Sequence, residues 1–144
     1  PITVWFLNGP NANLYGLDAN KNYGTDSFPV LQSRCEHKAA SLNVTLRFLQ
    51  SNYEGQLIDW IQEARGVADG IVINAGAYPH TSVAIRDALE AVALPFVEVH
   101  ISNVHAREEF RHRSYLSDIA SCVIAGAGIQ GYAFGVHHLA RILA

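Results

Sequence analysis

From Glu98 to Tyr115 the chain reads EVHISNVHAREEFRHRSY, a stretch in which carboxylates, imidazoles and guanidiniums recur at close spacing. Glu98 and His100 are the pair with the clearest chemistry. Residues two apart in an extended chain face the same way, so the carboxylate meets the imidazole. A carboxylate in that position fixes the imidazole tautomer and favours its protonated form, which is what a general acid near neutral pH requires. The plain structural alternative is an ion pair at a strand end. The next residues, Ile101, Ser102 and Asn103, offer backbone N–H groups and short polar side chains suited to an anion.

Two other loops carry polar groups that could face a ligand. After the first apolar run come Asn8-Gly9-Pro10-Asn11-Ala12-Asn13 and a glycine-punctuated stretch to Tyr23-Gly24, longer than the usual strand-to-helix connection and of the kind used as a lid or binding loop. Asn11 and Asn13 read either as turn formers or as carboxamides holding a water or a substrate oxygen. The second loop, 74–81, reads NAGAYPHT and runs toward a helix N-terminus. It offers N–H groups to an anion with His80 alongside, although a lone histidine there is equally a turn residue.

The elements that must place these loops alternate in type. Apolar runs at 2–7, 44–49, 70–73, 95–99 and 122–125 read as strands, and helical periods fall near 27–41, 54–65, 81–91 and 131–143. Ser51-Asn52 and Thr81-Ser82 are expected to cap the second and third helices, and Leu94-Pro95 to end the third. The expectation is an α/β fold, a doubly wound five-stranded parallel sheet in the flavodoxin-like order 2-1-3-4-5. In such sheets ligands bind beyond the carboxyl ends of the strands, where Glu98 and His100 stand.

Composition narrows the class. With 144 residues, 49% hydrophobic and 16% charged, the chain reads as a single domain, 1–144, with a sizeable core. A net charge of −3 leaves no electrostatic footprint for nucleic acid. Cys35 and Cys122 lack clustered spacing and read as free thiols in a reducing compartment. No long apolar span, basic head or cleavage site is found, so a cytoplasmic protein without membrane contact is expected. Pro1 and the absence of Met suggest that an initiator was removed. No internal repeat, linker or low-complexity segment is found.

One apparent motif fails. Gly126-Ala127-Gly128-Ile129-Gln130-Gly131 matches the dinucleotide fingerprint, but only thirteen residues follow it. The acidic ribose partner expected about 20 residues on has no chain to occupy, so these glycines read as a tight turn and close packing. His137 and His138 lack partners at metal-ligand spacing.

Six segments then carry a resemblance: NGPN at 8–11, YG at 23–24, SNYEGQLIDWI at 51–61, INAGAYPHTSVAIRDA at 73–88, EVHISNVHAREEFRHRSY at 98–115 and GIQGY at 128–132. In this order, over essentially the whole chain, they resemble type II 3-dehydroquinate dehydratases. The resemblance implies cofactor-free dehydration of 3-dehydroquinate to 3-dehydroshikimate by a flavodoxin-like protomer assembled as a dodecamer of trimers. It implies Tyr23 as the base, Asn11 holding a water that stabilises the enolate, and His100, oriented by Glu98, protonating the departing hydroxyl. Asn74, His80 and Arg111 would bind substrate hydroxyls, and the Ile101 and Ser102 amides the carboxylate. Arg107 would lie near the tyrosine, and Asp87 would reach in from a neighbouring subunit. No metal or cofactor is implied. Lys21 and Lys38 are the only lysines, which suits proton transfer better than a Schiff base.

One position departs from the family pattern. Members usually carry an arginine five residues before the tyrosine, where this chain has Asp18 within LDANKNYG. A nearby cation typically lowers a tyrosine from its free value of about 10 by roughly 1–3 units, so Arg107 or Lys21 would have to compensate. The alternative is a diverged member that acts on another small molecule.

Overall fold

The computed structural model describes residues 1–17 and 26–144; Asp18, Lys21 and Tyr23 lie outside the described residues. Strands β1 (Ile2–Asn8), β2 (Val44–Gln50), β3 (Gly70–Asn74), β4 (Phe96–His100) and β5 (Cys122–Ala125) form one parallel sheet in the order β2-β1-β3-β4-β5. Every residue of β3 and β4 is buried, as expected for central strands covered on both faces.

Alternation along the strands divides the core. Val4, Phe6, Val72, Val97 and Val99 face helices α1 (Phe28–Ser41) and α4 (Gln130–Ile142). Trp5, Leu7, Ile71, Ile73 and Phe96 face α2 (Glu54–Ala64) and α3 (Val83–Val92). Each such side chain contributes about 1.5–3 kcal/mol on burial, so the two half-cores fix the strand register. That register aligns Asn8 with Asn74 and Ile73 with Glu98, placing His100 one residue beyond the level of Asn74.

The expected fold class, strand order and element positions agree with the structure, with local corrections at the caps. Ser82 caps α3 by accepting from the Ile85 N–H at 2.9 Å. Ser51 does not cap α2; its hydroxyl accepts from the N–H of Tyr53, the residue at the N-cap. Helix α3 stops at Val92 because Ala93 turns left-handed at φ 56°, two residues before Pro95. Both cysteines are free thiols.

Glycines in two segments shape the backbone around the strand ends. A Cβ on Gly9 would lie 2.5 Å from the carbonyl carbon and oxygen of Ala75, so the loops after β1 and β3 cross backbone to backbone only because this residue has no side chain. Gly126 and Gly128 have φ of 85° and 63°, and a Cβ on Gly131 would meet Val99 and Ile124 at 3.2 and 3.3 Å. The 126–131 segment is thus the turn and close helix–sheet contact expected of it.

Candidate active site

The carboxyl ends of β3 and β4 open into a narrow cleft lined by Asn74, Gly76, His80, His100, Ile101, Ser102, Val104, Arg107 and Arg111. Most residues singled out from the sequence therefore meet in one place, although they come from two separated segments, 74–80 and 100–111.

Glu98 and His100 are 1% and 7% exposed. His100 Nε2 donates to Glu98 Oε2 at 2.5 Å, and since the carboxylate is an acceptor, the ring presents Nδ1 to the cleft. Ser114 donates to Oε2 at 2.6 Å and Ser117 to Oε1 at 2.5 Å. Burial alone would raise the Glu98 carboxyl, but the bonds from His100, Ser114 and Ser117 outweigh it and hold the group below its ordinary value.

His80 stands in a 3-10 turn, Tyr78–His80, with its ring stacked 5.9 Å from that of His100. Its Nδ1 donates to the Arg113 carbonyl at 2.7 Å, which leaves Nε2 as the group offered to a ligand. Burial pushes its pKa down; the Arg113 bond opposes this, while the nearby His100 and Arg111 add to it. Of the N–H groups that this loop was expected to offer to an anion, those of Tyr78, His80, Thr81 and Ser82 are spent on the carbonyls of Ala75, Ala77, Tyr78 and Tyr78.

Arg107 and Arg111 are braced from outside by Glu108, whose Oε1 lies 3.7 Å from Arg107 Nε and accepts from Arg111 Nε at 3.0 Å. Arg107 Nη1 also donates to Ser102 Oγ at 3.2 Å. Two guanidiniums on one wall suit an anionic ligand. Asn103 serves the backbone instead, accepting from the His105 N–H.

Asn74 is committed inward. Its Nδ2 donates to the hydroxyls of Tyr15 and Tyr132, and Tyr132 donates in turn to Asn8 Oδ1 at 2.6 Å. The amide oxygen remains for the cleft, so Asn74 can accept from a ligand hydroxyl but has no proton left to give.

Asn11 and Asp87 are not brought to this cleft. Asn11 is exposed in a left-handed conformation and its N–H donates to Asn52 Oδ1 at 3.0 Å. Asp87 is exposed on α3. Among the described residues no group of three His, Cys, Asp or Glu side chains is placed to hold a metal, and no helix is long and apolar enough to cross a membrane.

Ser114, Ser117, Tyr15 and Tyr132 had no assigned role from sequence. Their partners are 16, 19, 59 and 58 residues away along the chain, so no local pattern marks them.

Sheet order and site position define a flavodoxin-like α/β protein with a His–Glu dyad at its strand ends. Residues 2–140 match the family described as Dehydroquinase class II. The chain is 52% identical over 138 residues to a protein named Catabolic 3-dehydroquinase 1 from Neosartorya fischeri, covering 96% of this chain and 92% of that one. It is 54% identical over 143 residues to the Catabolic 3-dehydroquinase of Pyricularia oryzae, covering 98% and 91%. The crystal structure of a type II dehydroquinase from Butyrivibrio crossotus superposes with a TM-score of 0.93 at 43% identity, over 96% of this chain and 97% of that one. The chain belongs to the class II dehydroquinase family.

Proposed function

We propose that this protein dehydrates 3-dehydroquinate to 3-dehydroshikimate without a cofactor, and that it does so in quinate catabolism, as the names of its relatives suggest. The observation that carries this reading is the buried Glu98–His100 dyad opening on a cleft with two guanidiniums. A small acid seated against Arg107 or Arg111 and the Ile101 and Ser102 amides would bring a hydroxyl within reach of His100.

In this reading Tyr23, as tyrosinate, removes the proton beside the ketone. A water held by Asn11 stabilises the enolate, and His100 Nδ1 delivers a proton to the departing hydroxyl, which leaves as water. Glu98 keeps the imidazole in the tautomer that allows this. His80 Nε2 and the Asn74 oxygen accept substrate hydroxyls, and Arg111 donates to them. Arg107 lowers the Tyr23 hydroxyl in place of the arginine that Asp18 replaces. Asp87 completes the site of a neighbouring subunit in a homo-oligomer, a dodecamer of trimers.

Asp18 favours a second reading, a diverged member acting on a different small molecule. A steady-state assay on 3-dehydroquinate across pH 6–10, following the product enone by ultraviolet absorbance, separates the two. Turnover supports the dehydratase; no turnover at any pH overturns it in favour of a changed substrate.

A further inference from the structure

We propose that Ser114 and Ser117 are positioning residues that share the negative charge of Glu98 and so set how readily His100 gives up its proton. The inference deepens the dehydratase reading and rests on it for its kinetic consequence.

Glu98 accepts from three donors, His100 Nε2, Ser114 Oγ and Ser117 Oγ, at 2.5, 2.6 and 2.5 Å. Ser114 has one hydroxyl proton, and its oxygen accepts from the Leu116 N–H at 3.0 Å, which turns that proton toward the carboxylate. The segment carrying both serines is pinned. Leu116 is fully buried, and Arg86 of α3 donates to the Tyr115 carbonyl at 2.8 Å and pairs with both Asp118 oxygens at 2.5 and 3.0 Å. The hydroxyls are therefore in place before any ligand arrives.

A carboxylate whose charge is met only by an imidazolium holds that imidazolium's proton tightly, because losing the proton leaves the buried anion poorly compensated. Two hydroxyls that stay bonded in both states remove part of that penalty, so the imidazolium becomes the stronger acid. This matches the low position of the Glu98 carboxyl despite its burial. Among the described residues, the other charged and titratable groups facing the dyad are His80 from the loop after β3, and Arg107 and Arg111 from the segment after β4. Neither serine lines the cleft, so substitution at Ser114 or Ser117 leaves the ligand's own contacts in place.

The test is the titration of His100 in the ligand-free protein, followed by nuclear magnetic resonance of ring-labelled histidine and assigned by difference with His100→Asn. In Ser114→Ala and Ser117→Ala the midpoint is expected to rise by about one unit for each hydroxyl removed, with Ser→Thr at either position restoring it. The alkaline limb of kcat should move up with the midpoint, while KM stays within about twofold. Ser→Cys variants, whose thiols donate weakly, give an intermediate shift and decide the matter if the Ala variants do not fold. A His100 midpoint that stays within about 0.3 unit of wild type in folded variants overturns the proposal. A shifted midpoint in a protein that never turns over 3-dehydroquinate sinks the dehydratase reading and leaves the serine assignment standing.

Discussion

Replacing Tyr132 by Phe isolates the buried network beneath the cleft. The Tyr132 ring is 1% exposed and meets Phe6 edge-on with centroids 5.7 Å apart, contacts that Phe keeps. Only the hydroxyl goes. It donates to Asn8 Oδ1 and accepts from Asn74 Nδ2, both at 2.6 Å, and Asn8 and Asn74 are 0% and 4% exposed. Each buried partner left unsatisfied costs about 1–3 kcal/mol, and rotation of the Asn74 amide recovers some of the sum. The expected loss is about 2–4 kcal/mol, or a fall in Tm of about 5–15 °C at this chain length. Urea unfolding at fixed protein concentration measures it, with the slope expected to match wild type. Because Asn74 also lines the cleft, KM should rise several-fold while kcat changes less. A stability loss below about 0.5 kcal/mol would show that the Asn8–Tyr132–Asn74 bonds contribute nothing net.

Glu98→Gln should lower kcat at pH 7 by about 10- to 1,000-fold, since an adjacent opposite charge supports the imidazolium by roughly 1–3 units; kcat within about threefold of wild type would remove Glu98 from the mechanism. The same variant tests acid stability. The folded carboxyl lies below its ordinary value, so its contribution is present above the unfolded value of about 4.3 and is lost as pH falls through the folded value. The stability of Glu98→Gln should therefore fall less steeply below about pH 4.3, as read by denaturant titration. Tyr23→Phe should abolish turnover while a substrate-like carboxylate still binds by calorimetry, and surviving turnover would call for another base.

The sheet was legible because its five runs are apolar and their helices amphipathic, patterns that burial imposes residue by residue. Glu98 and His100 were legible for a similarly local reason, the two-residue repeat of a strand. The supports of the dyad follow no local rule. Ser114 and Ser117 reach Glu98 only because Arg86 and Leu116 fold their segment back over β4, and Tyr132 reaches Asn74 only because α4 lies close against β3 and β4 through Gly131 and Gly135. The misplaced cap at Ser51 has a local origin instead: a serine near a helix start can bond the backbone either before or inside the first turn, and Ser51 bonds the N–H of Tyr53 two residues on.

His80 and His100 are the same residue type, stacked in the same cleft, yet their outward partners differ. One ring spends its Nδ1 proton on the Arg113 carbonyl and the other its Nε2 proton on Glu98. They consequently present opposite nitrogens to a ligand, an acceptor on His80 and, when His100 is protonated, a donor beside it. A hydroxyl lying between them satisfies both at once, donating one way and accepting the other, whereas an ether or a ketone satisfies only the donor. The cleft thus carries a built-in polarity that selects for an alcohol before any bond is broken.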